Sequence, residues 1–126
     1  IDLKFKKDLI QNQLAAKELY IAKYYISTKK WAAAIKRLQN ILKFYDRTVF
    51  IEEALHRLVE IHYYLGLQEE ASNYAKILGY NYNSSEWFEK SYKILNKDYD
   101  SNIKNSVKKQ KKSEKSIIKR ILGIIK

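Results

Sequence analysis

The fold is decided by residues 21–38, which read IAKYYISTKKWAAAIKRL. Apolar side chains recur at three- to four-residue steps on both sides of the polar break 27–30, which is the spacing of two helices that each bury one face. Ala22 and Ala34 are the small residues of these two helices. They predict two antiparallel helices that cross closely at the alanines, with larger side chains packed around the crossing. The larger residues are Ile21, Tyr25, Trp31 and Leu38.

A second copy of this arrangement follows 37 residues later, with Ala71 in the place of Ala34. The preceding helix offers Leu58 for packing, His62 in a site usually filled by an aromatic residue, and Gly66 at the turn. Small crossing residues in paired helices, with a period near 34, are typical of tetratricopeptide repeats. We therefore predict two such repeats, with a join about three residues longer than standard. An unrelated antiparallel bundle with coincidental small residues is the alternative.

The same periodicity extends outward in both directions and predicts five helices in residues 1–95. The first helix is expected at 3–26 and the second from 31 to about 44. The third should run from an N-cap at Thr48 to a C-cap at Gly66. The fourth should run from about 68 to 78 and end at Gly79, and the fifth should be capped by Ser84 or Ser85. Glu52 and Glu53 suit the positive end of the third helix dipole.

Composition supports an all-α chain. The 126 residues contain no proline and three glycines, whereas β-sandwiches and small barrels need many turns built from these residues. With no cysteine, disulfides, thiolate nucleophiles and ordinary zinc sites are excluded. No apolar run is long enough to cross a bilayer. Because the chain opens at Ile1 rather than methionine, we expect any export signal or lipid-bearing cysteine to lie upstream.

The basic charge is concentrated at the carboxyl end. Residues 1–95 carry 15 Lys or Arg against 11 Asp or Glu, whereas residues 96–126 carry 10 against 3. We therefore divide the chain into a repeat domain, 1–95, and a basic amphipathic extension, 96–126. The extension has a lysine-rich run at 108–112 and a helical stripe of Ile117, Ile118, Ile121, Leu122 and Ile125.

Three interpretations of this extension compete. It can cap the last repeat, lie on an anionic membrane surface or bind nucleic acid. The extension lacks the aromatic platforms on which single-stranded nucleic acids stack, so nucleic acid is the least favoured partner.

Catalytic patterns are weak. His56 and Glu60 have i, i+4 spacing and could share a metal ion, but no third ligand accompanies them. Acidic pairs at 52–53 and 69–70 stand at helix starts, where dipole compensation explains them. There is no Gly-rich phosphate loop or nucleophile elbow. We predict a protein that is not an enzyme and needs neither cofactor nor metal.

Repeat geometry also predicts an inner groove, lined by the first helix of each repeat. One repeat would contribute Ala16, Leu19, Lys23 and Ile26, and the next Glu53, His56, Glu60 and Tyr63. Such a mixed surface can accept an extended peptide or a helix. An exposed apolar end is expected near Phe5 and Leu9 if a further repeat precedes them.

Several strings resemble the carboxyl-terminal half of the BamD lipoprotein family, also called YfiO, which acts in outer-membrane protein assembly. They are AKYY at 22–25, WAAAIKRL at 31–38, EEALHRLVE at 52–60, LGLQEEA at 65–71, and LGYNY at 78–82 followed by SEWF at 85–88. The resemblance covers about residues 14–95 and departs at Asp46 and Asn83, where the family has proline. We identified no family counterpart for the tail.

The resemblance implies a five-repeat periplasmic scaffold on the inner leaflet of the outer membrane, held by an amino-terminal lipid upstream of this chain. It implies that this half docks onto the POTRA domains of BamA and onto accessory lipoproteins. The family's contact arginine falls on Arg37, whose rigid fork suits a partner carboxylate. Without the resemblance, the same residues describe a helical-repeat adaptor for peptides or nucleic acid, with a basic arm.

Overall fold

The computed structural model describes the backbone of residues 2–83, 85–96 and 99–125, and these form helices and no strand. The helices are α1 Asp2–Ser27, α2 Trp31–Phe44, α3 Ile51–Tyr64, α4 Gln68–Asn81, α5 Glu86–Leu95 and α6 Tyr99–Ile125. The predicted all-α fold of tetratricopeptide-like hairpins is confirmed. The chain divides into two units, Ile1–Leu95 and Asn96–Lys126, each described separately below.

The predicted helix crossings lie in the core. Ala22 and Ala34 are fully buried in one cluster with Leu38 and Leu58, which joins α1, α2 and α3. Ala71 is fully buried beside Val59, at the crossing of α3 and α4. Only side chains this small let two helix backbones approach closely, and the larger neighbours then fill the space between hairpins.

Both hairpins turn in the same way. After α1, the Lys30 N–H donates to the Tyr25 carbonyl at 2.8 Å, and Lys29 has a left-handed φ of 59°. After α3, the Leu67 N–H donates to the His62 carbonyl at 2.8 Å, and Gly66 has a φ of 81°. These are Schellman motifs, which satisfy the carbonyls at a helix end. Gly66 closes α3 as predicted.

The predicted N-cap at Thr48 is wrong. The Thr48 hydroxyl instead donates to the Tyr45 carbonyl at 2.7 Å, so its oxygen is held in the turn that follows α2. The chain makes a further turn, and α3 starts at Ile51 with Phe50 as an N-cap that has no side-chain hydrogen bond. This local bond competes with capping because a threonine hydroxyl can serve either.

The predicted end of α4 at Gly79 is also wrong, since the helix continues to Asn81. Gly79 has a packing role: a Cβ there would lie 2.9 Å from the Phe88 ring of α5. The fifth helix is capped as predicted by Ser85, whose hydroxyl accepts the Phe88 N–H at 3.1 Å. The other candidate cap, Ser84, lies outside the described residues.

The second unit is the helix α6. Its described side chains, those of 109 and 111–123, are exposed. The sequence predicted a short helix that carries the apolar stripe after the lysine-rich run at 108–112. The helix instead begins at Tyr99, because the polar residues that follow Tyr99 are also helical. Among the described residues, none of the helices combines the length and apolar character needed to span a membrane.

Candidate partner-binding site

Arg37 lies on α2, on the side turned towards α1. Its Nη1 donates to both carboxylate oxygens of Glu18, at 3.2 and 3.4 Å. The Arg37 side chain is 38% exposed and that of Glu18 is 18% exposed. The face of Arg37 is thus only partly open, and its guanidinium is held in place. Both contacts use one nitrogen, and the planar fork carries further N–H groups that can bind a second carboxylate.

Sequence reasoning missed Glu18. The signal was available, because the antiparallel register that pairs Ala22 with Ala34 also brings residue 18 level with residues 37 and 38. A helix turn is about 3.6 residues, so moving three or four residues back in α1 and forward in α2 keeps the partners opposite each other. The same argument explains why the neighbouring Leu19 is buried.

The predicted groove contains a network of charged side chains between α1 and α3. Lys23 Nζ lies 2.7 Å from Glu53, and Arg57 Nη2 lies 3.3 Å from the same carboxylate. Arg57 Nη1 reaches Glu60 at 3.5 Å. Arg57 was not predicted, although Glu53 four residues before it and Glu60 three residues after it were visible in the sequence. Opposite charges therefore hold most of the polar groove residues to each other.

His56 and Leu19 do not line an open groove, in contrast to the prediction. His56 is 3% exposed, because α5 packs over α3 at this point. Its Nδ1 lies 2.8 Å from the Ser91 hydroxyl, its Nε2 contacts Glu60, and its ring lies against Trp87. Leu19 is buried in the core between α1, α2 and α3. The burial of His56 depends on a following helix that covers α3, and helical spacing does not show which helix covers which.

Glu60 is half-buried at the edge of the covered region. Burial raises the pKa of its carboxyl, but the hydrogen bond and charge of His56, together with Arg57, outweigh burial and hold that pKa below its ordinary value of 4.5. Glu60 is therefore charged near neutral pH. Its carboxylate contacts Nε2 of His56 at i, i+4 spacing. Among the described residues, no group of three His, Cys, Asp or Glu side chains is placed to hold a metal ion.

An apolar cleft of about 480 Å³ opens beside this network. Tyr63 and Ile26, two further predicted groove residues, line it together with Glu60. The other lining residues are Trp31, Ile61, Tyr64 and Ile94. The Trp31 and Tyr64 rings lie 5.1 Å apart between centroids. The cleft can take an apolar side chain, and the Glu60 carboxylate can orient a cation or an N–H group beside it.

The sequence of the chain matches a known protein family. Residues 1–78 match the YfiO family, described as outer membrane lipoprotein. The chain belongs to this family. No solved structure matches the chain.

YfiO-family relatives share much of the sequence. The chain is 41% identical over 95 residues to the outer membrane protein assembly factor BamD of Rickettsia prowazekii, covering 75% of this chain and 38% of the relative. It is 34% identical over 123 residues to the BamD of Caulobacter vibrioides, covering 97% and 39%. The BamD of Haemophilus influenzae is 36% identical over 72 residues, covering 57% and 28%. The chain thus spans about two fifths of the length of the first two relatives.

The Caulobacter alignment corrects one expectation from the sequence. A match over 123 of the 126 residues necessarily includes most of the basic extension. Most of the extension therefore has a counterpart in this relative.

Proposed function

We propose that this chain is a non-enzymatic scaffold in the assembly of outer-membrane β-barrel proteins, at the periplasmic face of the outer membrane. It would dock onto a POTRA domain of BamA and onto accessory lipoproteins. Membership of the YfiO family and similarity to the outer membrane protein assembly factor BamD of two bacteria support this proposal. Stacked helical hairpins suit the role, because they offer extended surfaces for other proteins.

Arg37 is the residue that we propose as the main docking contact. Its support is geometric: one nitrogen is bound to Glu18, and the partly exposed guanidinium retains N–H groups for a partner carboxylate. Glu18 fixes the orientation of Arg37 before the partner arrives. A fixed side chain loses less conformational entropy on binding than a free one.

The test is a calorimetric titration of the wild-type chain and Arg37→Ala against the POTRA region of BamA from the same source. We expect Arg37→Ala to weaken binding by about 2–5 kcal/mol, the range for truncating one partner of a buried charge pair. Arg37→Lys should recover only part of the loss, because lysine lacks the planar fork. Thermal unfolding of each variant controls for folding.

Lys36→Ala is the matched control, since Lys36 is the adjacent cation and is exposed. It should change the affinity by about 1 kcal/mol at most. A similar loss for both variants would show that docking depends on charge alone. Equal affinities of wild type and Arg37→Ala would remove Arg37 from the interface, and no binding by the wild type would contradict the proposed scaffold role.

The groove side of the hairpins is the second surface that we propose for partner contact. Lys23 and Tyr63 retain exposed area there, and the apolar cleft lies beside Glu60. Glu53 acts through Lys23 and Arg57, which it holds in place. His56 holds the Glu60 carboxylate in place through its Nε2 atom.

A further inference from the structure

The helix α6 carries a stripe of large apolar side chains that face solvent. Ile117, Ile118, Ile121 and Leu122 are each 51–57% exposed. At about 100° per residue, the four cover an arc of roughly 140° on one side of the helix. Four adjacent aliphatic side chains exposed on one face mark a surface for binding, since isolated exposed residues are ordinary but a continuous stripe is not.

Cations border this stripe on both sides. Lys115 and Lys119 follow the edge next to Leu122, and Arg120 lies beyond the edge formed by Ile117, at the angles set by helix geometry. All three are exposed. Further exposed lysines precede them at 109, 111 and 112, and Glu114 is the one acidic residue among the described side chains of this helix. The exposed cations and the exposed apolar stripe therefore lie on the same part of α6.

We propose that α6 binds the surface of an anionic lipid bilayer, with its apolar stripe inserted between the headgroups and its cations on lipid phosphates. Helices that lie in the membrane interface have this combination of an aliphatic face with a basic border. Each basic residue near an anionic surface contributes attraction, and the aliphatic side chains supply the remainder. This proposal concerns the second unit and is independent of docking through Arg37.

Two other occupants fit less well. A second copy of α6 would bring two cationic borders together, whereas paired helices need complementary charges beside the apolar seam. A nucleic acid would use the cations, but the described side chains of α6 include no aromatic ring for a base to stack on, and the aliphatic stripe would remain exposed.

The experiment is co-sedimentation of the full chain with vesicles of phosphatidylcholine alone, and of phosphatidylcholine and phosphatidylglycerol in equal parts. We expect binding to the anionic vesicles only. Lys115→Gln with Lys119→Gln should lower the partition coefficient roughly 20- to 30-fold, at about fivefold for each charge. Ile118→Gln with Ile121→Gln should lower it by more than about tenfold.

The matched control is Lys36→Gln with Lys76→Gln, which removes the same charge from exposed sites of the repeat unit. It should lower the partition coefficient less than about threefold, because exposed charges outside the proposed lipid-binding helix are largely screened. An equal loss in control and tail variants would overturn the proposal, as would equal binding to both vesicle types.

Two further outcomes also exclude it. If the isoleucine variant binds anionic vesicles as wild type does, and duplex DNA competes for the site, then α6 is a polyanion-binding arm. If the isoleucine variant lowers the unfolding midpoint of the repeat unit, then the stripe packs within the protein and is not available to lipid.

Discussion

The two hairpins share one pattern of small and large residues, yet they are buried to different extents. In α1, three of 26 residues are buried, whereas eight of 14 are buried in α3. The difference lies in their neighbours: α1 packs mainly against α2, while α3 packs against α2, α4 and α5. Position in the stack, more than the repeat pattern itself, therefore decides how much of a helix becomes core.

The difference in burial also decides which groove residues stay exposed. The first hairpin contributes Lys23, which stays exposed, while the equivalent region of α3 contributes His56, which α5 covers. The first hairpin also leaves apolar side chains at its amino-terminal end exposed, with Phe5 at 67% and Leu9 at 49%. The first hairpin thus offers more open surface, whereas α3 of the second hairpin supplies the buried centre of the unit.

The largest expected effect is a difference in the free energy of unfolding between two leucine substitutions, one in the core and one at an exposed position. Leu58→Ala in α3 should lower the free energy of unfolding by about 2–5 kcal/mol, because it leaves a cavity at a fully buried site. Leu9→Ala in α1 should change it by about 0.5 kcal/mol or less, as at other exposed positions. Urea unfolding of both variants measures the difference. Similar losses would show that the amino-terminal half of α1 is packed in solution.

A smaller effect, opposite in sign between the hairpins, is expected at the two turns. Gly66→Ala should destabilise the protein by about 1–2 kcal/mol, because a left-handed φ is unfavourable for alanine. No neighbouring atom lies close enough to an added Cβ to cause a further clash. Lys29→Gly should stabilise it by about 0.5–1 kcal/mol by removing the same strain from the first turn. The unfolding midpoints test this. Stabilisation by Gly66→Ala would contradict the left-handed turn.

The smallest effect concerns the contribution of Glu60, in the second hairpin, to stability at acid pH. Since the pKa of Glu60 is lowered on folding, its ionisation stabilises the protein fully above about pH 4.5, and this contribution is lost as the pH falls further through the lowered value. Glu60→Gln should therefore flatten the decline of stability below pH 4.5. The control is Glu69→Gln, which removes one exposed carboxylate from α4. An unchanged decline in Glu60→Gln would separate Glu60 from the acid response.

Much of this fold could be predicted from the sequence because it depends on spacing. The helix pairs follow from periodic apolar residues, the crossings from Ala22 and Ala34, and the second turn from Gly66. The turn at Lys29 could not be predicted from residue type, because lysine rarely takes a left-handed φ. Here the hydrogen bonds of the turn impose that conformation.

The site was less predictable than the fold. The sequence drew attention to Arg37 through a family resemblance, but its bond to Glu18 depends on how the two helices lie together. The burial of His56 depends on α5, which brings Ser91 to the His56 ring from 35 residues along the chain. The Arg37–Glu18 bond could be deduced only through the register of the two helices, whereas the covering of His56 by α5 has no local pattern in the sequence.

The most direct test of the scaffold role is amide hydrogen exchange of the full chain with and without the POTRA region of BamA. We predict that protection on binding concentrates in α2 around Arg37 and in the facing part of α1 around Glu18, whereas α3, already buried, changes little. The pattern should vanish in Arg37→Ala. Protection confined to α4 and α5, or the same protection in Arg37→Ala, would contradict docking through the first hairpin.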